Sequence, residues 1–284
     1  MIPKKVYSIF KNGSVTYFYS SLFFPTEIRQ DVFTLYSFVR VADNFVDQIP
    51  PQKEEFFDFT HQYRQTLKNK FVNNPIISSF VSLQKKTGIQ TEWVTSFLAT
   101  MQQDLTKKNY ADELELADYM YGSAEVVGLM MSRILKLPPE SEKYAQVLGK
   151  SMQYINFLRD VQEDISLGRT YIPQTILKKY QLSALNQQTV LTNQTSFNTL
   201  VRTEIKKYRE WMKQAQAGFQ YIPIRYLIPI KTASDMYDWT AQQIEKDPMI
   251  VFRKKVKPTP LFVIATVIKN AIQLSIFYPF LRNK

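Results

Sequence analysis

The amino-acid sequence predicts an all-α fold built as one helical bundle. Glycine occurs only 7 times in 284 residues, where average usage of about 7% would give roughly 20. Folds made of strands and tight turns consume glycine, so its scarcity favours helices. Apolar residues recur at helical spacing almost from end to end. The 14 prolines lie mostly between these stretches, where they end one helix and begin the next.

The helices can be placed along the chain from their start and stop signals. Pro25 and Glu27 suit the first turn of a long helix, and Pro50 and Pro51 end it. No segment has the composition of an interdomain linker, so we expect one domain over 1–284, with 259–284 as its terminal helix. Helical spacing predicts the segments 25–47, 52–72, 75–86, 91–106, 113–137, 140–167, 194–217, 230–246 and 259–277.

The terminal helix has two open interpretations. Its apolar run, 261–281, is interrupted by Lys269, Asn270 and Gln273. It therefore falls short of the roughly 18 uninterrupted apolar residues of a membrane-spanning helix. It is either a packing helix or a helix that lies on a membrane surface. The N-terminus lacks the apolar run of a signal peptide. We expect a cytoplasmic protein, with peripheral membrane contact as an open alternative.

The composition excludes several classes of active site. The chain has no cysteine, and His61 is its one histidine. Thiolate metal sites, disulfide scaffolds and histidine-rich zinc sites are therefore not expected. The remaining metal ligands are carboxylates, which suit hard cations such as Mg²⁺. The net charge of +11 favours an anionic partner: nucleic acid, an anionic membrane or a phosphorylated substrate.

Two polar stripes at helical spacing stand out against this background. A pair of acids four residues apart is typical of a solvated helix face, so either stripe alone is weak evidence. Two stripes, each with an arginine within three residues, favour a site where four carboxylates bind Mg²⁺ and a diphosphate leaving group. The first stripe is Tyr36, Arg40, Asp43 and Asp47, and the second is Gln153, Asn156, Asp160 and Asp164.

Three segments resemble the squalene and phytoene synthase family, in the family's order and spacing. They are LYSFVRVADNFVD (35–47), YMYGSAEVVGLMM (119–131) and QYINFLRDVQEDISLGRTYIPQ (153–174). The resemblance extends from about Ser14 to Lys257 and is strongest to prokaryotic phytoene synthases. It implies a helical bundle of the isoprenoid synthase type with a central apolar cavity.

The resemblance also implies roles for individual residues. It implies Mg²⁺, with Mn²⁺ as an alternative, and a nicotinamide cofactor is not expected. The implied metal ligands are Asp43, Asp47, Asn156, Asp160 and Asp164. The catalytic set adds Tyr36, Arg40 and Tyr119 to the four aspartates. The substrate-binding set is Ser14, Thr16, Tyr17, Arg40, Gln153, Asn156, Arg159, Arg169, Tyr171 and Lys254.

The implied reaction joins two geranylgeranyl diphosphates head to head into phytoene, through a cyclopropylcarbinyl diphosphate. One alternative is a squalene or dehydrosqualene synthase that uses two farnesyl diphosphates. A second is a non-catalytic binding protein on the same fold, and a third, suggested by charge and aromatic content, is a nucleic-acid binder. Asn44 and Glu125 depart from the family pattern, where an acid and a glycine are common, respectively.

Overall fold

The computed structural model describes residues 4–281, and these residues form an all-α fold without a β-strand. An isolated bridge pairs Asn109 with Thr170. The helices α1 to α8 are Lys4–Gly13, Val15–Ser21, Thr26–Asp47, Lys53–Leu67, Pro75–Thr87, Thr91–Gln103, Glu113–Met120 and Val126–Ile134. The helices α9 to α16 are Glu142–Arg159, Val161–Ser166, Gln174–Lys179, Gln187–Thr192, Gln194–Gln216, Ile224–Lys246, Ile250–Arg253 and Pro260–Leu281.

Local sequence explains where several helices begin and end. Pro25 precedes α3, Glu27 lies in its first turn, and the helix ends where the backbone becomes extended at Gln48. Asn74 caps α5 because its side-chain oxygen accepts hydrogen bonds from the backbone N–H groups of residues 76 and 77. Gly88 ends the same helix at φ 71°, a left-handed conformation that favours glycine.

Helix α9 lies in the middle of the bundle, packed between α8 on one side and α13 on the other. Two glycines bring α9 unusually close to α8 and to the turn just before it, Tyr121–Glu125. A Cβ atom on Gly128 would overlap the backbone carbonyl of Ala145, and one on Gly149 would overlap that of Ala124. This close approach fixes the position of α9, and with it the polar residues at the end of that helix.

Three predicted helices differ from the structure in their interior or at their start. The segment 113–137 contains a π-helical turn, Tyr121–Glu125, in which the N–H of Val126 bonds to the carbonyl of Tyr121. The segment 140–167 breaks at Asp160, whose φ of −98° and ψ of 16° end α9 and begin α10. The helix expected at 230 begins at Ile224 and contains Pro229.

Residues 4–21 are also more helical than the sequence patterns indicated. Helices α1 and α2 pack against α3 and α14, and Ser14 caps α2 by accepting a hydrogen bond from the N–H of Tyr17. Helix α16 packs on α14 and α2. None of the helices in the described part of the chain combines the length and apolarity needed to cross a bilayer.

Candidate active site

A charged cavity of about 740 Å³ opens between the C-terminal end of α3, the α9–α10 junction and the segment before α16. Every residue that the sequence predicted for the site lines this cavity, except Lys254. The lining therefore includes Ser14, Thr16, Tyr17, Tyr36, Arg40, Asp43, Asp47, Tyr119, Gln153, Asn156, Arg159, Asp160, Asp164, Arg169 and Tyr171.

The two aspartates of α3 that line the cavity each have an arginine partner. Arg40 Nη1 lies 2.7 Å from Asp43 Oδ2, one helical turn away. Arg169 Nη1 lies 2.6 Å from Asp47 Oδ1, across the cavity from α3. Burial and the neighbouring charge of Asp47 raise the pKa of Asp43 to about 7, although Arg40 opposes the rise. A cation in this part of the cavity would favour the charged carboxylate.

The opposite wall is formed at the break between α9 and α10. Arg159 donates a bidentate pair of hydrogen bonds to Asp160, one of them 2.9 Å from Nε to Oδ1. Lys255 Nζ lies 3.6 Å from Asp160 Oδ1. Burial raises the pKa of Asp164 well above its usual range, and the charges of Asp160 and Asp47 add to the rise. The influence of Asp47 shows that the two acidic motifs share one electrostatic environment.

Arg169 connects the two motifs. Gly168, at φ 70°, turns the chain after α10, and the N–H of Arg169 bonds to the carbonyl of Asp164. The guanidinium, whose side chain is 4% exposed, donates to Asp47 and to two backbone carbonyls, those of residues 46 and 104. The side chain therefore holds the C-terminal end of α3 against the segment that follows α10.

An aromatic cluster lies beside this arginine. Tyr119 donates a hydrogen bond of 2.8 Å to Asp104 Oδ2, and the Tyr171 hydroxyl lies 3.3 Å from Asp104 Oδ1. The rings of Tyr171 and Phe157 stack with centroids 4.4 Å apart. Burial raises the pKa of both tyrosines well above the usual range, so their hydroxyls remain neutral. The cluster presents neutral hydroxyls and aromatic rings at the edge of a charged cavity.

An apolar chamber of about 300 Å³ continues from the charged cavity into the bundle. Its walls come mainly from α2, α3, α8, α9 and the segment around Ala217–Tyr221. Many of the lining residues are small, among them Gly128, Ala145, Gly149, Ala215, Gly218 and Ala233. Four residues line both spaces, namely Tyr17, Tyr36, Gln153 and Asn156. The interior therefore changes from ionic to apolar across a shared wall.

The structure also adds residues that the sequence patterns did not identify. Asp104 and Tyr237 line the charged cavity. Asp104 ends α6 without a second acid four residues away, so no spacing marked it. Lys254 is exposed and lies outside the cavity lining, while Lys255 and Lys257 are part of it. The backbone at Lys254 is extended, at φ −161°, so successive side chains of this basic segment point in opposite directions.

The cavity contains oxygen donors of the kind that a divalent cation binds. Within residues 4–281, no three acidic or histidine side chains stand close enough to hold a metal ion by themselves. Mg²⁺ typically takes one or two carboxylates and completes its shell with water and phosphate oxygens. The cavity offers carboxylates on two walls, and the buried Oδ1 of Asn156 accepts no hydrogen bond from any described residue. These oxygens fit a cation that arrives with a diphosphate.

Comparison with known proteins identifies the family. The squalene/phytoene synthase family model matches residues 10–261. The chain belongs to the squalene/phytoene synthase family. Members of this family condense prenyl diphosphates head to head in isoprenoid and carotenoid biosynthesis, and they bind the diphosphates with divalent metal. This squalene/phytoene synthase family member is accordingly an enzyme of the prenyltransferase class.

Individual relatives agree with this placement. A 15-cis-phytoene synthase from Synechocystis sp. is 27% identical over 268 residues, which cover 86% of this chain and 77% of the relative. A 4,4'-diapophytoene synthase from Staphylococcus haemolyticus is 24% identical over 64% of this chain and 65% of its own length. A solved dehydrosqualene synthase in complex with a ligand superposes with a TM-score of 0.80 at 21% identity, covering 95% of both chains.

Proposed function

We propose that this chain condenses two molecules of geranylgeranyl diphosphate into phytoene, with release of two diphosphates and two protons. The observation that carries the proposal is the continuity of a charged cavity with an apolar chamber through Tyr17, Tyr36, Gln153 and Asn156. A prenyl diphosphate has the same division, since a charged head is joined to a long hydrocarbon tail. The similarity to phytoene synthases, including that of Synechocystis sp., supports the choice of the twenty-carbon substrate in this proposal.

The charged wall is assigned to the diphosphate groups in this proposal. The carboxylates of Asp43, Asp47, Asp160 and Asp164, with the free amide oxygen of Asn156, would hold Mg²⁺ or Mn²⁺. When bound, the cation would neutralise the diphosphate and make it a better leaving group. Arg40, Arg159 and Arg169 would donate hydrogen bonds to diphosphate oxygens and stabilise the negative charge as it departs. Lys255 and Lys257 line the cavity and are assigned the diphosphate contact that was predicted for Lys254.

The aromatic residues are assigned to the carbocation that departure of the diphosphate leaves behind. Tyr36, Tyr119 and Tyr171 would present ring faces to the positive carbon centres, and a ring face attracts a cation. Their hydroxyls stay protonated because burial raises each pKa. Neutral phenols do not trap a carbocation as a phenolate would. Ser14, Thr16 and Tyr17, at the start of α2, would close over the mouth of the site.

The apolar chamber is assigned to the hydrocarbon tails. The double bond of the second substrate attacks the first allylic cation, and loss of a proton closes the ring of a cyclopropylcarbinyl diphosphate. This intermediate loses its diphosphate, rearranges to the 1–1′ linkage and loses a second proton to give phytoene. Each cation would react with water if water reached it. The apolar lining, from Phe24 and Leu35 to Leu148 and Met152, excludes water and orients the tails.

The experiment that tests the proposal supplies purified protein and Mg²⁺ with geranylgeranyl diphosphate or farnesyl diphosphate, in separate reactions, and identifies the hydrocarbon by mass spectrometry. Phytoene from the longer substrate is the expected product. Hydrocarbon from farnesyl diphosphate alone would contradict the assignment and favour the second candidate, a dehydrosqualene synthase. The similarity to a 4,4'-diapophytoene synthase supports that second candidate. Absence of any product would favour a non-catalytic relative.

A further inference from the structure

The outer face of α16 is apolar and exposed to solvent. Residues 261, 265, 268, 272 and 276 recur at intervals of four, three, four and four, which places them on one side of a helix. Leu261 is 80% exposed, Ile268 is 54% exposed, and Ile272 and Ile276 are each 57% exposed. The row runs about 22 Å along the helix. Scattered exposed apolar residues are ordinary, but a continuous row indicates a surface that contacts something.

The opposite, inner face of α16 packs on the rest of the protein. Val263, Val267, Asn270 and Leu274 are buried and lie opposite the outer row. Asn270 donates hydrogen bonds to Thr232 Oγ1 and to an Asp235 carboxylate oxygen on α14, at 3.1 and 2.7 Å. These bonds fix the rotation of α16. The outer row therefore cannot turn inward without breaking a buried polar contact.

The charge of the C-terminal region indicates what the row contacts. From Pro248 to Lys284 the sequence has seven lysines and arginines and no acidic residue. Lys269 is exposed beside the row, and Lys257 is exposed just before the helix. A second copy of this chain, with the same net charge of +11, would be repelled. An anionic lipid surface would attract the region while its acyl layer received the row.

The position of α16 relative to the apolar chamber is an independent observation. Leu274, on the inner face, packs in a cluster with Ile222, Phe219 and Ile230. These three residues also line the chamber. One face of α16 therefore covers an end of the chamber, and the opposite face carries the exposed apolar row. A bilayer against that row would lie a single helix thickness from the chamber.

We propose that the outer face of α16, Leu261 to Ile276, docks this protein onto an anionic membrane surface, with α16 parallel to the bilayer plane. The isoleucines enter the boundary between headgroups and acyl chains, and the neighbouring lysines contact anionic headgroups. Binding does not depend on which prenyl diphosphate the site accepts. A failure of this proposal is therefore separable from a failure of the proposed reaction.

The test measures binding of the full chain to vesicles by flotation. One vesicle set mixes phosphatidylglycerol into phosphatidylcholine, and the other is phosphatidylcholine alone. The variant is Ile268→Ser/Ile272→Ser, which changes exposed side chains and leaves the inner face intact. The control is Phe71→Ser, which also replaces an exposed apolar side chain with serine. Phe71 is 93% exposed and lies outside α16. Circular dichroism confirms the fold, and analytical ultracentrifugation gives the oligomeric state of each protein.

The proposal predicts that wild type and Phe71→Ser bind the mixed vesicles, and that raised salt weakens binding. The double variant should lose affinity by about tenfold or more, because two isoleucines no longer enter the acyl region. Failure of the wild type to bind, equal binding by the double variant, or equal binding to both vesicle sets would overturn the proposal. A double variant that changes oligomeric state would assign the row to a second copy of the chain instead.

Discussion

Arg169 reaches across the charged cavity to Asp47, with 2.6 Å between Nη1 and Oδ1, and joins two motifs separated by 122 positions in the chain. Only 4% of the arginine side chain is exposed, while 36% of the aspartate side chain remains accessible. The arginine is thus held by the protein, and the aspartate keeps an open side toward the cavity.

Replacement of Arg169 by Met should destabilise the protein and abolish turnover. The change leaves Asp47 unpaired and removes donors from two buried backbone carbonyls, which should lower the free energy of unfolding by about 3 kcal/mol. Urea denaturation measures this difference. Arg253→Met is the matched control, because Arg253 pairs with Asp247 on the surface and should cost less than about 1 kcal/mol. Equal losses for both variants would contradict the assigned structural role of Arg169.

Asp43→Asn and Asp160→Asn should each reduce condensation of the prenyl diphosphate by about a hundredfold or more, because each removes a charge assigned to the metal–diphosphate assembly. The fold should survive, since asparagine has nearly the same shape. Product formation in the presence of Mg²⁺ measures the first effect and circular dichroism the second. Asp58→Asn, on the exposed face of α4, should turn over normally. Full activity of either site variant would remove its carboxylate from the mechanism.

The stability of the protein should depend on pH through Asp104. Burial raises the pKa of its carboxyl group to about 6, although Arg169 and the hydroxyl of Tyr119 oppose the rise. A raised carboxyl pKa means that the folded state keeps the proton up to a higher pH than the unfolded chain does. The stabilisation is therefore complete below about pH 4 and is lost as the pH rises to about 6.

Asp104→Asn should show this dependence directly. Its free energy of unfolding, minus that of the wild type, should increase by about 2 kcal/mol between pH 4 and pH 7, because asparagine does not ionise. Urea denaturation across that range gives the difference. A flat curve for Asp104→Asn would show that its carboxyl titrates at the ordinary pH.

The length of the apolar chamber should control which tail is accepted. Val127 lines the chamber from α8, and Val127→Phe would place a ring in the space assigned to the tails. Turnover of the twenty-carbon substrate should fall by about tenfold or more, with a smaller effect on the fifteen-carbon substrate. Separate assays with each diphosphate measure the ratio. Leu191→Phe, at an exposed position, is the control, and an unchanged ratio for Val127→Phe would place the tails elsewhere.

The sequence predicted the main helices and the two polar stripes of the charged cavity because helical spacing records which side chains share a face. The other cavity residues it named came from the resemblance to the family. It could not predict the break at Asp160, since the same spacing fits a continuous helix. Nor could it predict the partner of Asp47, because contact between α3 and the segment after α10 depends on the packed bundle. Asp104 was missed for a related reason. Its importance comes from two tyrosines and an arginine that are distant in sequence.

The wall that the two spaces share, Tyr17, Tyr36, Gln153 and Asn156, affects how the products leave the enzyme. A reaction at this boundary generates one product soluble in water and one that is not. The diphosphates would return to solvent through the mouth from which they entered. The hydrocarbon would remain in the apolar chamber, whose lining disfavours ions. It must therefore leave by a different route from the diphosphates. Turnover in dilute buffer should then be limited by hydrocarbon release, and a detergent or lipid phase should accelerate it.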